Sequence, residues 1–169
     1  MKTHSAFDLL SASGPFIAQA EKLMLYGQFV GTWNVESVWY KGDKVVRKAK
    51  RSWVFDWILG GRGIQDVLFA EGVKPSQYGT TLRVYDELLD AWHITWMCPE
   101  QGEFVNLLAR RIGDRIVQEG LGGDYLRRER WSFTEITPDS FVWLGEVSFD
   151  RGGTWVLEQR MKATRVKED

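Results

Sequence analysis

Most of the chain alternates between apolar and polar residues with a period of two, which is the pattern of half-buried β-strands. The alternation is clearest near the C-terminus, where Trp155, Leu157, Gln159, Met161 and Ala163 share one face and mostly charged residues share the other. Short runs rich in glycine, proline and aspartate separate ten such segments. We therefore predict strands at residues 29–40, 44–58, 62–70, 78–86, 91–98, 103–112, 114–120, 125–137, 141–150 and 154–165.

One segment near the N-terminus has a helical period instead. Ser13, Gly14 and Pro15 are typical of a helix start, and Gly27 is typical of a helix end. The apolar residues between them fall on one side of the helix: Phe16, Ile17, Ala20, Leu23 and Met24. The pattern predicts a helix from residue 15 to about residue 26. Residues 1–28 would then be a helical segment packed on a barrel formed by residues 29–169, within a single domain.

The turns between the predicted strands are short enough to join neighbouring antiparallel strands. A long meander without a crossover helix is expected to curl and close, because closure removes the exposed strand edges. The fold class that follows is all-β: a closed antiparallel up-and-down barrel of about ten strands with one N-terminal helix.

Strand alternation also predicts which side chains point into the barrel. The clearest inward rows are Trp33, Val35, Ser37 and Trp39; Trp53, Phe55 and Trp57; Trp92, Ile94 and Trp96; Trp131 and Phe133; and Trp143, Gly145, Val147 and Phe149. The rows of segments 62–70, 78–86 and 103–112 are ambiguous. If Asp66 and Arg83 both face inward, two roles are open: they pair with each other, since a buried charge without a partner is costly, or they fix the polar end of a ligand.

Several segments resemble known barrel proteins in order as well as in sequence: 29–35, with Gly31-Thr32-Trp33, then 82–86, 131–133 with 136–137, and 152–155. Over residues 26–165 the chain resembles the calycin superfamily, which contains lipocalins and fatty-acid-binding proteins. Within that superfamily it is similar to a bacterial lipocalin-like group of unassigned function. The resemblance implies a ligand-holding barrel in which Trp33 packs under Arg165 as a structural contact.

The charge balance and the single cysteine narrow the choice of partners and compartment. The net charge is −1, from 22 basic and 23 acidic residues, so no global field would attract nucleic acid. No apolar run reaches the length of about 18 residues that a membrane helix needs, and the N-terminus has no signal-peptide pattern. Because Cys98 has no partner for an internal disulfide, we predict a cytoplasmic protein. The charge balance and the lack of a long apolar run predict that it binds neither nucleic acid nor membranes.

Catalytic and cofactor motifs are absent from the sequence. There is no Gly-x-Ser-x-Gly element, and His4 and His93 lie too far apart in the chain to suggest a zinc site. The stretch Gly60-Gly61-Arg62-Gly63 lacks the Lys-Ser/Thr of a phosphate-binding loop. We therefore expect no metal and no cofactor.

Aromatic residues make up 14% of the chain and include nine tryptophans, which suits the wall of a cavity. We predict that the barrel binds one small hydrophobic or aromatic molecule, and that inward polar residues fix its polar end. The predicted ligand-binding residues are Trp53, Trp57, Arg83, Trp92, Trp96, Asn106, Trp143 and Gln159.

Two alternatives remain open at this point. One is an enzyme, such as an isomerase, cyclase or hydrolase, that uses Asp66, Glu129, Tyr85 or His93 as an acid or base in the same cavity. A buried carboxylate with a raised pKa would favour this alternative. The other is a homodimeric interaction protein with a filled barrel, whose spare aromatic residues form the contact between subunits.

Overall fold

The computed structural model describes residues 4–122 and 126–167 and contains one closed barrel of ten antiparallel strands. Each strand pairs with its neighbours in sequence, and the first strand pairs with the last. The strands are β1 (Gly31–Lys41), β2 (Lys44–Ile58), β3 (Gly63–Phe69), β4 (Gly79–Asp86), β5 (Ala91–Cys98), β6 (Glu103–Ile112), β7 (Arg115–Leu121), β8 (Arg128–Thr134), β9 (Ser140–Ser148) and β10 (Val156–Arg165). The predicted all-β closed up-and-down barrel is confirmed.

The N-terminal region differs from its prediction. Helix α2 (Ala20–Gly27) begins five residues later than predicted, after a 3-10 turn at Ile17–Gln19. The preceding chain is held instead by the β2–β3 connection, because the backbone amides of Ala12 and Phe16 donate to the carbonyl oxygens of Trp57 and Gly61. Phe16 has an extended backbone (φ −61°, ψ 113°), so the chain cannot be helical from Pro15 onward and the helix begins after it.

The sequence analysis also missed a short helix, α1 (Ala6–Leu10). Ser5 and Asp8 form a capping box at its start: the Asp8 amide donates to Ser5 Oγ at 3.1 Å, and the Ser5 amide donates to Asp8 Oδ2 at 3.2 Å. Helix α1 contributes no buried residue. Five residues make less than one and a half helical turns, which is too short for the helical period to show in the sequence.

Among the described residues, the largest error in a predicted strand boundary falls on the eighth strand, while the other boundaries differ by two residues or fewer. The predicted start of the eighth strand, residue 125, lies outside the described residues. Its predicted end was three residues too late: β8 ends at Thr134, and Thr137 then folds into a turn in which its amide donates to the Ser140 carbonyl at 2.8 Å. The threonine and proline at 137–138 therefore belong to the β8–β9 turn.

Helix α2 closes one end of the barrel with three fully buried side chains, Leu23, Tyr26 and the following Phe29. The Tyr26 ring lies 4.9 Å from Trp92, and the Phe29 ring lies 4.8 Å from Phe133. This half of the interior is packed with rings that meet edge-on or tilted, which is the favourable arrangement for aromatic side chains. We call it the closed end.

The contact between Trp33 and Arg165 predicted from the calycin resemblance is present at the closed end. The guanidinium of Arg165 lies 4.0 Å from the centre of the Trp33 ring, and its nitrogens donate to the carbonyl oxygens of Gln28, Val30 and Pro138. Trp33 Nε1 donates to the Phe29 carbonyl at 2.7 Å. These bonds tie the chain after α2 to the last strand.

The predicted inward rows are correct on β1, β2, β5 and β8, but they fail near the β9–β10 connection. Phe149 is 73% exposed. A bulge in β10 between Leu157 and Gln159 reverses the alternation, so Trp155 packs outside the barrel under Arg130, 4.1 Å from its ring centre. Leu157 pairs with Glu146, the outward ion-pair partner of Arg130, so Leu157 also faces outward. An alternation pattern cannot reveal a bulge, because the extra residue shifts the faces without changing composition.

The inward faces of β3 and β4 were ambiguous in the sequence. In the structure Asp66 of β3 and Arg83 of β4 both point inward and form a buried ion pair. Asp66 is 1% exposed and Arg83 is 2% exposed. Asp66 Oδ1 also accepts from the Thr81 amide at 3.2 Å. The pairing, one of the two roles that the sequence left open, is thus present.

Replacing one partner of this pair should destabilise the fold strongly. We expect Asp66→Asn to lower the free energy of unfolding by about 3–5 kcal/mol, because it leaves the Arg83 charge buried without a counter-ion. Urea denaturation followed by tryptophan fluorescence measures the change. The control is Lys22→Gln, which breaks an exposed ion pair with Asp90 and should leave the midpoint unchanged. Equal effects of the two substitutions would contradict the prediction.

Candidate functional site

A cavity of about 500 Å³ occupies the half of the barrel opposite α2. The apolar part of its wall includes Trp39, Trp53, Trp96, Trp131, Trp143 and Met161. Polar and charged side chains also face it: Arg47, Arg51, Arg83, Glu103, Arg127, Glu129, Glu158 and Gln159. The cavity is not compatible with the filled barrel of the homodimer alternative, while the homodimer itself stays a prediction.

Five of the eight predicted ligand-binding residues line this cavity: Trp53, Arg83, Trp96, Trp143 and Gln159. Trp57 and Trp92 belong to the closed end instead. The Trp57 ring lies against Gly27 of α2, where a Cβ atom would come within 2.5 Å of it, and Trp92 packs on Tyr26. Both rings face inward as predicted, but the plug from α2 separates them from the cavity.

The predicted inward position of Asn106 is wrong. Val105, Leu107 and Ala109 are the buried residues of β6, so Asn106 lies on the outer face, where Thr95 Oγ1 donates to its Oδ1 at 2.9 Å. Phe104 and Leu108, which suggested an inward row, are 52% and 38% exposed. Apolar residues occupy both faces of this strand, so alternation alone could not select the inner one.

Three indoles form one continuous wall of the cavity. The rings of Trp131 and Trp143 are 5.5 Å apart, and those of Trp96 and Trp131 are 6.4 Å apart. Trp96 lies across Gly79, where a Cβ atom would approach its ring to 1.9 Å. Trp96 Nε1 donates to Glu103 Oε2 at 3.0 Å. The indole is thus positioned by a glycine beneath it and by a carboxylate at its edge.

Arg83, Trp53 and Gln159 bring hydrogen-bond donors to the cavity lining. Arg83 uses Nη1 for its ion pair with Asp66, but its Nε has no acceptor among the described residues. The same holds for Trp53 Nε1 and Gln159 Nε2. Buried donors without a partner are uncommon in folded proteins, so three along one cavity are compatible with an acceptor supplied by a bound molecule.

Glu129 is a buried carboxylate of the cavity, 5% exposed. Arg127 Nε lies 2.9 Å from its Oε1, and Trp131 Nε1 donates to its Oε2 at 3.3 Å. Burial raises the pKa of Glu129, and this effect outweighs the opposing effect of Arg127. Of the four residues weighed as an acid or base, Glu129 alone lines the cavity and has a raised pKa.

The other three candidates are placed differently. Asp66 is committed to Arg83. The Tyr85 hydroxyl donates to Asp90 at 2.7 Å, and His93 Nε2 lies 3.0 Å from Asp86 Oδ2. The Tyr85 and His93 contacts lie at the end of the barrel where β4 meets β5, away from the cavity.

Arg47 and Arg51 face the cavity mouth and were not predicted. Their guanidinium carbons lie 4.6 Å and 5.1 Å from the centre of the Trp39 ring. Burial lowers the pKa of Arg51, and the neighbouring charge of Arg47 lowers it further. The signal was present in the sequence, because both arginines share the parity of the inward Trp53 on β2.

The described residues contain neither a cluster suited to a metal ion nor a helix suited to cross a membrane. No group of three or more histidine, cysteine, aspartate or glutamate residues there is arranged to hold a metal ion. None of the described helices has the length and apolar character required to cross a membrane.

Comparisons with known proteins define the class of fold. No family model matches the sequence, and no curated protein matches it. The S-type phycobiliprotein lyase from Guillardia theta has a similar structure, with a TM-score of 0.59 at 8% identity, covering 86% of this chain and 93% of that one. A redesigned β-barrel superposes more loosely, with a TM-score of 0.42 at 8% identity, covering 83% of this chain and 93% of its own. The chain has a calycin-like barrel fold.

Glu129 should make stability depend on pH in a defined direction. Because its folded pKa is raised, the stabilising proton is fully bound below the ordinary value of 4.5 and is lost as the pH rises through the raised value. Glutamine stays neutral, so the free energy of unfolding of Glu129→Gln should increase relative to wild type as the pH rises from below 4.5 through the raised pKa of Glu129.

Urea denaturation at a series of pH values measures this difference. Glu119→Gln is the matched control, because Glu119 is exposed on the outer face of β7. A difference between wild type and Glu129→Gln that stays constant with pH, or falls as the pH rises, would contradict the prediction.

Proposed function

We propose that the protein binds one small hydrophobic or aromatic molecule in the cavity opposite α2. The observation that carries the proposal is the cavity itself: about 500 Å³, lined by an indole wall and by several polar and charged side chains. This is the size of a typical small-molecule site, and its indoles provide apolar contact surface. The likeness to the phycobiliprotein lyase concerns the fold alone, so the proposal rests on the cavity.

The division of the barrel supports a binding role. At the closed end, α2 and Phe29 fill the interior, whereas the other end keeps Trp53 and Trp143 buried beside open space. A protein that needed only stability would gain from filling this space, since unfilled volume in a core is destabilising. The polar groups along the wall can orient a ligand, while the rings supply the affinity.

Ala49 provides a way to block the cavity. It lines the cavity on β2, and its neighbour Lys48 is exposed on the opposite face of the same strand. We expect Ala49→Phe to weaken binding of the neutral fluorescent probe N-phenyl-1-naphthylamine about tenfold or more, because the added ring fills space that the probe would occupy. Probe emission and quenching of tryptophan fluorescence both report binding.

Lys48→Phe is the matched control, since it adds the same ring outside the barrel. Its affinity for the probe should equal that of wild type. Equal affinities of all three proteins would place the probe elsewhere and contradict the proposal.

A second candidate function is acid–base catalysis in the same cavity, and Glu129 is the observation that favours it. Its carboxyl group is buried, has a raised pKa and is hydrogen-bonded by Trp131. A protonated carboxyl group in a cavity can donate its proton to a bound molecule. The chemistry would be that of an isomerase, cyclase or hydrolase acting on a small apolar substrate.

The hydrolase version of this candidate has a direct assay. We expect the protein to release p-nitrophenolate from p-nitrophenyl acetate or butyrate faster than buffer does, and Glu129→Gln to lose about 10²-fold or more of that rate. Glu119→Gln should keep the full rate. A rate equal to that of buffer, or an unchanged rate in Glu129→Gln, would remove the hydrolase assignment.

A further inference from the structure

Among the described residues that line the cavity, Arg47 and Arg51 are the arginines without an ion-pair partner. The other two arginines of the lining are paired, Arg83 with Asp66 and Arg127 with Glu129 and Glu158. None of the ion pairs among the described residues includes Arg47 or Arg51. The cavity mouth therefore carries two positive charges with no carboxylate bound to either.

The surroundings of Arg47 and Arg51 disfavour the charged form of Arg51 when no anion is bound. Arg51 is half-buried, and both burial and the like charge of Arg47 lower its pKa. Glu103 acts on Arg51 only from a distance and has its own partner, since its carboxylate accepts from Trp96 Nε1. Like charges held close together in a partly desolvated site are stabilised when an anion binds between them.

The arginine pair is also held in a fixed arrangement. Both guanidinium groups lie over the Trp39 ring, which contributes cation–π attraction and limits their rotation. A planar guanidinium matches the oxygens of a carboxylate, sulfonate or phosphate through paired hydrogen bonds. Their position at the mouth leaves the indole wall deeper inside for an apolar body.

We propose that the molecule bound in the cavity is amphipathic and carries one oxyanion group, which Arg51 and Arg47 bind at the mouth. This proposal rests on the proposed function, because it assigns the polar end of the ligand that the cavity binds. The aromatic or hydrophobic part then lies against the wall formed by Trp96, Trp131 and Trp143. The ligand class is therefore small aromatic or aliphatic acids and related sulfonates or phosphates.

Two probes that differ in one charged group test the proposal. The anion 1-anilinonaphthalene-8-sulfonate and the neutral N-phenyl-1-naphthylamine share the same aromatic body, and both fluoresce when they enter an apolar site. We expect Arg51→Gln to weaken binding of the sulfonate about tenfold while changing the affinity for the neutral probe less than about twofold. Arg47→Gln, at the exposed edge of the mouth, should act in the same direction.

Lys48→Gln is the matched control, because it removes one positive charge from the outer face of the same strand. It should leave both affinities unchanged. Arg51→Lys keeps the charge but loses the planar fork, so it should fall between wild type and Arg51→Gln. Added salt should weaken sulfonate binding in wild type more than in Arg51→Gln.

The outcomes separate the two proposals. If the neutral probe binds in the cavity but sulfonate binding is insensitive to Arg51→Gln and Arg47→Gln, the anion site is overturned and the cavity function stands. The anion site is also overturned if Lys48→Gln weakens the sulfonate as much as Arg51→Gln does. If neither probe binds wild type, both proposals fail. Binding of the neutral probe by each variant shows that its barrel is folded.

Discussion

The feature on which the rest of this structure depends is the width of a ten-stranded barrel. A barrel of eight strands is already just wide enough for its inward side chains to fill, so two more strands enclose extra space. This chain fills one half of that space from outside the sheet, with Leu23 and Tyr26 of α2 and the following Phe29. The cavity exists because these three side chains fill only one end of the barrel interior.

Polarity changes along the barrel axis in step with this division. The closed end is packed with rings, and one hydrogen bond between buried side chains crosses it, in which Tyr26 Oη donates to Gln118 Oε1 at 3.1 Å. The Asp66–Arg83 pair lies at the boundary, where Arg83 also faces the cavity. Nearer the cavity mouth, Arg47 and Arg51 belong to none of the ion pairs among the described residues. A molecule entering there would meet arginines first, then indoles, then a sealed aromatic core.

The likeness to a phycobiliprotein lyase at 8% identity shows how little the fold constrains the sequence. Barrel closure requires alternating faces, short turns and a register that joins the first strand to the last, and many sequences satisfy these conditions. What a barrel binds or does depends on the particular inward residues. Here those residues are an indole wall, a protonatable Glu129 and two arginines stacked on Trp39.

The period of two along the chain was sufficient by itself to predict ten strands, their antiparallel order, barrel closure and most inward rows. These features are local or follow from neighbouring hairpins, so a linear sequence contains them. The sequence also shows that Arg47 and Arg51 share a strand face with Trp53. It does not show which end of the barrel is open, so their position at the cavity mouth could not be predicted. Tertiary structure alone decided where the cavity lies, because that depends on how far α2 reaches into the barrel. It also decided the bulge at Glu158 and the outward face of Asn106. Such choices are made by packing between residues distant in sequence, and no periodicity along the chain records them.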